Sequence, residues 1–289
     1  MVKFDAQRFF AAFQVVQQSG AYPLVVGVEQ RSHFLESVPS TNQTAWELMT
    51  QDRTLEPIVI ASSQTAGRGQ WGRQWQSAAG GLYLSVGLKL GMPVTQAAQL
   101  TLGTVWGIAT ALRQIPARLS GVTAGIPVQI KWLNDLVLHR YKLGGILTET
   151  RIQQEQIISA VIGVGINWTN PVPETGINLQ TFLSDHPDPL IESLEMLAAI
   201  ALQGIFAGVQ RWQAGEIEPL LQDYLALLAH RDRPVLVDGK PWTIVSITPA
   251  GDLRVQPKFL AMTEAEPIEY NSLSEVLIQP GTISLGYPL

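Results

Sequence analysis

The sequence contains no cysteine in its 289 residues. Disulfides, cysteine-ligated metals and catalysis through an enzyme-bound thioester are therefore excluded. The four histidines are scattered, which gives a metal cluster little support, and each is interpreted as a surface or structural residue: His33, His139, His186 and His230. No apolar run reaches the roughly 18 residues of a membrane span, and the N-terminus lacks the apolar stretch of a signal peptide. We expect a cytoplasmic protein with no membrane partner.

Acidic residues are absent from one long segment, residues 57–134, although the net charge of the chain is −5. That segment holds six basic residues: Arg68, Arg73, Lys89, Arg113, Arg118 and Lys131. A basic segment inside an acidic protein favours a small anionic ligand over nucleic acid, which requires a broader basic surface. Chance segregation of charge is the alternative explanation.

The rest of the chain is organised around a glycine-rich stretch, residues 62–73, with the sequence SSQTAGRGQWGR. A β-branched run precedes it at 57–61, and apolar residues alternate after it at 82–90. This pattern predicts a strand, a loop and a strand, and the loop offers N–H groups and guanidiniums to an anion. A dinucleotide-binding fold is rejected, because it requires a helix after the glycines and an acidic residue about 20 positions later. A glycine hairpin with solvated arginines is the alternative.

Polar groups also occur beside three other predicted elements. Residues 40–42, Ser-Thr-Asn, precede a predicted helix, either as its N-cap or as hydrogen-bonding groups for a polar ring. Lys131 lies in a predicted strand and points either into a site or towards solvent. Gly163 and Gly165 stand at the end of another strand, where they allow a ligand to approach the backbone.

Helical spacing of apolar residues predicts further helices at 1–20, 95–115, 188–213 and 216–229. Pro116 is expected to end the second of these. Short strands at 235–237, 243–247 and 253–255, separated by turn residues, predict a small C-terminal β-barrel. Too few residues precede the first motif for a helix-turn-helix module, so we expect none.

Four motifs now stand in one order along the chain: Ser40-Thr41-Asn42; Gln64 with the run from Gly67 to Arg73; Lys131-Trp132-Leu133-Asn134-Asp135 followed by Lys142-Leu143-Gly144-Gly145-Ile146-Leu147; and Gly163-Val164-Gly165-Ile166-Asn167. In this combination the chain resembles the biotin–protein ligases over about residues 33–289. The resemblance implies an α+β fold, with a central mixed or antiparallel sheet flanked by helices, as in class II synthetases. It implies a catalytic domain at 1–230, including an N-terminal extension at 1–32, and an SH3-like β-barrel at 231–289.

The resemblance also implies two reactions. Biotin and ATP give biotinyl-5′-AMP and pyrophosphate, and a lysine of the biotin carboxyl carrier protein of acetyl-CoA carboxylase then takes the biotin. Lys131 and Arg68 are the expected catalytic residues, and Trp132 an apolar wall. The expected biotin-binding residues are Ser40, Thr41, Asn42, Gln64, Gly67, Arg68, Gly69, Gln70, Lys131, Gly163 and Gly165. The expected nucleotide-binding residues are Arg68, Arg73, Trp75, Asn134, Lys142 and Asn167. No protein metal site is expected, Mg²⁺ accompanies ATP, and the protein is a monomer or homodimer.

Three positions depart from the pattern of the family. Gln70 and Trp71 replace two arginines of the glycine-rich loop, and Leu133 replaces a proline. These changes bear on how tightly the adenylate is held. Two alternative functions remain open: a ligase of the same fold for another acid such as lipoate, and a regulator that senses biotinyl-AMP and binds DNA.

Overall fold

The computed structural model describes residues 4–19, 22–121, 124–185, 191–231, 233–237, 239–257, 275–283 and 285–286. Seven α-helices lie in this part of the chain: α1 (Ala6–Gln18), α2 (Val28–Arg31), α3 (Thr41–Gln51), α4 (Ala97–Ser120), α5 (Leu179–Leu183), α6 (Leu194–Gln213) and α7 (Ile217–Ala226). None of the described helices is long and apolar enough to cross a membrane.

The described strands form two sheets. The first contains β1 (Ser32–Val38), β2 (Ile58–Gln64), β3 (Leu82–Pro93), β4 (Val128–Lys131), β5 (Asp135–Leu138), β6 (Tyr141–Gln153) and β7 (Gln156–Ile166). The second contains β8 (Pro234–Val237), β9 (Lys240–Ile247), β10 (Leu253–Pro257) and β11 (Val276–Ile278).

The large sheet has the strand order β1-β2-β3-β7-β6-β5-β4. Only the β1–β2 pair is parallel, and the other pairs are antiparallel. The predicted mixed sheet flanked by helices is therefore confirmed. The predicted strand, loop and strand around the glycine-rich stretch are also confirmed, as β2, a 3₁₀ turn at Gln70–Gly72 and β3.

Helices α4 and α6 pack against each other with their backbones in close contact. Gly103 and Gly107 of α4 face Gly208 and Gly204 of α6, and a Cβ at Gly103 would lie 2.8 Å from the carbonyl oxygen of Gly208. Only glycine permits this approach, because any side chain would meet main-chain atoms. Buried residues of both helices share one hydrophobic core with β3, β6 and β7.

The prediction that Pro116 ends the second long helix was wrong, since α4 continues to Ser120. A proline inside a helix leaves the carbonyl four residues earlier without its usual N–H partner. Here that carbonyl belongs to Leu112, and it accepts a hydrogen bond of 3.1 Å from the Ile126 amide. The chain after the helix folds back and satisfies this group, so the proline is accommodated.

The first and last parts of the chain both pack on the core. Phe9 and Phe13 of α1 are buried, and Phe4 stacks on Phe34 with ring centroids 5.6 Å apart. The antiparallel sheet β8–β11 contributes Trp242 and other buried residues to the same core cluster. Residues 258–274 lie outside the described part, so the strands of the predicted barrel are seen only as this sheet. The domain boundary at residue 231 stays a prediction.

Candidate active site

A cavity of about 190 Å³ opens between the glycine-rich loop, the ends of β4 to β7 and the C-terminal segment. Nearly all predicted site residues line it: Ser40, Thr41, Asn42, Gln64, Arg68, Gly69, Gln70, Arg73, Trp75, Lys131, Trp132, Asn134, Lys142, Gly163 and Gly165. Gly67 and Asn167, which were also predicted, do not line it. Segments far apart in the sequence thus meet at one cavity.

The hydroxyl and amide groups at the start of α3 form one hydrogen-bonded cluster. Ser40 occupies the N-cap position, but its side chain makes no capping bond. Gln64 of β2 supplies the acceptor instead. Its Oε1 accepts a hydrogen bond of 2.8 Å from the Thr41 amide and one of 3.2 Å from the Thr41 hydroxyl. Ser85 of β3, which the sequence analysis missed, lies with its Oγ 2.8 Å from Thr41 Oγ1 and 2.7 Å from Asn42 Oδ1.

Glu149 links this cluster to the glycine-rich loop. Its Oε2 accepts a hydrogen bond of 2.8 Å from Asn42 Nδ2 and another of 3.0 Å from Arg68 Nη2. Arg68, a predicted catalytic residue, is therefore paired with a carboxylate across the outer edge of the cavity. Its side chain is 44% exposed, so water screens this ion pair and the arginine can exchange partners.

The glycine-rich loop is folded on itself as a small hairpin. The Gly69 amide donates to the Arg73 carbonyl over 2.7 Å, and the Trp75 amide donates to the Gly67 carbonyl over 3.0 Å. Gly67 packs against Trp75 and Ser77, where a Cβ would collide with the Trp75 carbonyl at 2.5 Å. These two amides serve the hairpin, so anion recognition in this conformation falls to the arginines and to other amides of the loop.

The end of the cavity near β4 and β5 is held by two lysines and one aspartate. Lys142 Nζ lies 2.7 Å from Asp135 Oδ1, and Lys131 Nζ lies 3.8 Å from Asp135 Oδ2. Burial lowers the pKa of Lys131; Asp135 raises it, while Lys142 and Arg73 lower it further. Asp135, for which the sequence predicted no role, keeps two ammonium groups together in a partly buried site.

Gly163 and Gly165 leave room for other side chains of the protein. A Cβ at Gly163 would collide with the Asn42 amide, and one at Gly165 would lie 2.5 Å from Trp75 Nε1. We expected a ligand close to this backbone; in the structure the two glycines line the cavity and also accommodate Asn42 and Trp75. Lys142 Nζ lies 5.2 Å from the centroid of the Trp75 ring, within reach of a cation–π contact.

Asn134 and Asn167 bind backbone groups. Asn134 Nδ2 donates to the Ile146 carbonyl over 2.5 Å and fixes the turn between β4 and β5 against β6. Asn167 is 6% exposed, and its Nδ2 lies 3.3 Å from the Ile177 carbonyl. Asn134 still lines the cavity, whereas Asn167 supports it from outside.

The C-terminal segment supplies a wall that the sequence analysis missed, formed by Pro280, Gly281, Ile283 and Leu285. Two contacts fasten the C-terminal part of the chain: Trp132 Nε1 donates to the Gly251 carbonyl over 2.8 Å, and His230 Nε2 lies 3.1 Å from the Leu285 carbonyl. The Trp132 ring is buried, so Trp132 serves the junction as well as the cavity. Hydrophobic residues near a C-terminus give no sequence signal of such a role.

The lining of the cavity combines many cations with few acids. Asp135 is the one acidic residue in the lining within the described part of the chain. Across the same described residues, no group of three or more His, Cys, Asp or Glu side chains could hold a metal ion. The cavity therefore suits an anion bound by lysine, arginine and amide donors, beside a pocket of hydroxyl and amide groups.

Comparison with known proteins agrees with this class of site. Residues 34–167 match the model of the Biotin/lipoate A/B protein ligase family. The matched range contains every predicted site residue and the whole of the sheet from β2 to β7. The match covers just under half of the chain, and this segment resembles that family.

Two relatives illustrate the range of similarity. The Bifunctional ligase/repressor BirA of Bacillus spizizenii is 33% identical over 158 residues, covering 54% of this chain and 43% of that protein. The Biotin–[acetyl-CoA-carboxylase] ligase of Paracoccus denitrificans is 27% identical over 217 residues, covering 70% of this chain and 78% of that protein. The chain spans about half the length of the first curated relatives it matches, from 43% to 60%.

A solved structure shows the same fold. The biotin protein ligase from Aquifex aeolicus in complex with biotin and ATP superposes with a TM-score of 0.59 at 21% identity. The superposition covers 79% of this chain and 95% of that one. At this identity the likeness establishes the architecture of the fold.

Proposed function

We propose that the protein is an ATP-dependent biotin–protein ligase. One observation carries the proposal: the cations Lys131, Lys142 and Arg73 line the same cavity as the hydroxyl and amide cluster around Thr41. A ligase of this kind must hold a neutral polar ring at one end of its site and join a carboxylate to a phosphate at the other. The names of the relatives and of the solved structure support the same reaction.

In the proposed first step, the biotin carboxylate attacks the α-phosphate of ATP and pyrophosphate leaves. A carboxylate is already ionised at neutral pH, so the step requires no general base. It requires positive charge directed at the phosphoryl oxygens, where negative charge develops in the transition state. Lys131 is the proposed main contributor, and Arg68 and Arg73 are proposed to hold the phosphate from the loop.

The remaining predicted residues receive roles that suit their positions. Ser40, Thr41 and Gln64 are proposed to bind the ureido ring, with Asn42 fixed between Ser85 and Glu149 as a rigid neighbour. Trp75 is proposed to stack on the adenine or cover the ligand chain. Lys142 and Asn134 are proposed to face the nucleotide.

Mg²⁺ is proposed to arrive with ATP. A Mg²⁺ ion bound to nucleotide phosphates needs about one or two protein carboxylates and keeps several waters. Asp135 could supply one carboxylate, although both of its oxygens face lysines. The residues therefore fit a metal held mainly by phosphates and water, and they contribute orientation and positive charge beside it.

The proposed second substrate is a lysine of a biotin carboxyl carrier protein. The lysine amine attacks the carbonyl carbon of the mixed anhydride, the bond from that carbon to the phosphate oxygen breaks, and AMP leaves with the electron pair. We propose that the protein acts in the cytoplasm, in the same compartment as this carrier protein.

The proposal is tested by incubating the protein with ATP, Mg²⁺, radiolabelled biotin and a purified carrier domain, with lipoate in a parallel reaction. We expect label on the carrier that depends on ATP and is absent when the carrier lysine is replaced by arginine. Transfer of lipoate without transfer of biotin would show that the substrate of the protein is a different acid.

A mobility shift with biotin-operon DNA tests the regulatory alternative. The net charge of −5 offers little attraction to DNA, so we expect no sequence-dependent shift with or without biotin and ATP. A saturable, specific shift would instead assign a regulatory role to the protein.

A further inference from the structure

The cavity continues into a groove on the protein surface. Arg68 and Leu147 line both, and Glu149 lines the groove where it leaves the cavity. Beyond Glu149 the groove extends over α3, past Trp46 and Glu47. A lysine carried on another protein reaches a buried anhydride through an opening of this kind, so side chains at the junction meet its ammonium group first.

Only one carboxylate oxygen of Glu149 accepts hydrogen bonds from the described residues. Both of its hydrogen bonds, from Asn42 and from Arg68, end on Oε2. Its Oε1 accepts no hydrogen bond from the described residues, and its side chain is 27% exposed. Since Glu149 lines the groove, a carboxylate oxygen with no donor among the described residues suits an incoming cation there.

A bound ligand competes with Glu149 for its present partner, Arg68. Arg68 is 44% exposed and lies on the rim of the cavity, where an acyl-adenylate phosphate would compete for its guanidinium. When Arg68 turns to the phosphate, Glu149 keeps only the neutral bond from Asn42. The next cation along the groove, Arg151, is held 4.3 Å above the Trp46 ring, so it does not replace Arg68.

We propose that Glu149 is the residue that receives the ε-ammonium of the acceptor lysine, in exchange for Arg68, once the adenylate has formed. The inference rests on the proposed function, because it assigns a residue to the second of its two reactions. Glu149 binds and orients the lysine at the mouth of the cavity. The ammonium group releases one proton to water, the neutral amine then attacks the anhydride as described above, and the second proton passes to water as the amide forms and AMP leaves.

The test compares Glu149→Gln with Glu47→Gln. Glutamine keeps an oxygen for Asn42 but removes the charge, whereas Glu47→Gln removes the same charge from the groove farther from the cavity. Biotin-dependent pyrophosphate exchange measures the first reaction, and single-turnover transfer from preformed biotinyl-AMP to the carrier domain measures the second. A charged hydrogen bond corresponds to about a tenfold effect or more, so we expect the ratio of transfer to exchange to fall about tenfold in Glu149→Gln alone.

A reaction with hydroxylamine distinguishes recognition of the lysine ammonium by Glu149 from a structural role of Glu149. Hydroxylamine attacks the anhydride as a neutral nucleophile at pH 7, so Glu149→Gln should form biotinyl hydroxamate as fast as the wild type while carrier transfer is slow. Equal losses of exchange, hydroxamate formation and transfer would overturn the proposal, as would unchanged transfer. Wild-type protein that shows no biotin-dependent exchange would refute the proposed function itself, and that result is visible before any variant is compared.

Discussion

One charge cluster at the end of the cavity contains Lys131, Lys142 and Asp135. Lys131 is partly buried, and desolvation lowers its pKa, whereas the Asp135 carboxylate opposes that change. Asp135 thus favours the protonated form of Lys131 at a depth where burial disfavours an ammonium group. The cluster retains positive charge close to the position proposed for the reacting phosphate.

At this scale we predict the effect of Lys131→Ala. The fold should persist, because Asp135 keeps Lys142 as a partner at 2.7 Å. Adenylation should fall by a factor of about 10² to 10³, since removing one charge aimed at a transition state costs about 3–4 kcal/mol. Biotin-dependent pyrophosphate exchange measures the loss, with thermal unfolding as a check on the fold. Near-normal exchange in a folded variant would contradict the role of Lys131.

The sequence identified residues that line the cavity better than it indicated their contacts. Lys131, Arg68 and Thr41 belong to motifs, and all three line the cavity. Glu149 and Ser85 carry no such signal, because each is a single polar residue in an otherwise ordinary strand. Their importance arises from the register of β3 and β6, which places them beside Asn42, and register between distant strands is not visible in one sequence.

At the scale of elements, α4 and α6 determine how the helical layer supports the sheet. We predict that Gly107→Ala destabilises the protein, because the added methyl group would collide with the Gly204 carbonyl. Overpacking of this kind costs about 1–3 kcal/mol, and the better helix propensity of alanine recovers about 1 kcal/mol at most. Urea unfolding measures the change in the free energy of unfolding.

Gly91→Ala is the matched control for this prediction. Gly91 lies in β3, and a Cβ there would meet no atom within 4 Å. Its free energy of unfolding should stay within about 0.5 kcal/mol of the wild type. If Gly107→Ala were as stable as Gly91→Ala, the two helices would have to separate easily, and the close glycine contact would contribute little to stability.

Most long elements were predictable, and the errors have physical causes. Apolar periodicity located α4, α6 and the strands around the glycine-rich loop. It placed the end of α4 too early, because a distant amide satisfies the carbonyl freed by Pro116. It also missed β1, whose burial pattern does not alternate, and α5, which has only five residues. A tertiary hydrogen bond explains the first error, and the lack of a periodic apolar pattern explains the other two.

At the scale of the whole molecule, His230 joins the sheet to the C-terminal wall of the cavity. Burial lowers its pKa below the ordinary value of 6.5, the bond to the Leu285 carbonyl raises it, and Lys131 and Arg233 lower it. Below pH 6.5 the unfolded chain therefore binds a proton more readily than the folded protein. The stability contributed by His230 is complete above pH 6.5. It is lost as the pH falls from 6.5 through the lower pKa that His230 has in the folded protein.

We predict that His230→Gln flattens this pH dependence. Glutamine can donate to the Leu285 carbonyl but does not titrate. Urea unfolding between pH 5.5 and 7.5 should show a slope that is smaller than that of the wild type by at most about 1.4 kcal/mol per pH unit. Parallel slopes for the two proteins would mean that His230 titrates alike in the folded and unfolded states.

Trp71 connects the glycine-rich loop with the C-terminal segment across the cavity. Its backbone has a φ of 58°, and its side chain is 68% exposed. The ring nevertheless lies against Gly281, where a Cβ would be 2.8 Å from Trp71 Cζ2. The loop and the C-terminal wall are therefore in contact through an aromatic ring, at a position where the resemblance predicts an arginine.

We predict that this contact slows the release of the adenylate. Trp71→Ala should release biotinyl-AMP roughly five- to thirtyfold faster, because the buried part of the ring contributes about 1–2 kcal/mol of apolar burial. The intermediate is formed on the enzyme, chased with excess unlabelled biotin, and its release rate is compared with that of wild type and Gln70→Arg.

The Gln70→Arg variant distinguishes retention of the adenylate by the apolar Trp71 ring from retention by a charged side chain. Arginine at position 70 would add a charged hydrogen bond to the adenylate in place of a neutral one and should slow release, since a charged bond is stronger by about 1 kcal/mol. Fast release from Trp71→Ala together with unchanged release from Gln70→Arg would assign retention to the ring on Gly281. If Trp71→Ala released the adenylate no faster than wild type, the ring would only pack the outside of the loop, and the grip would come from Arg68 and Lys131.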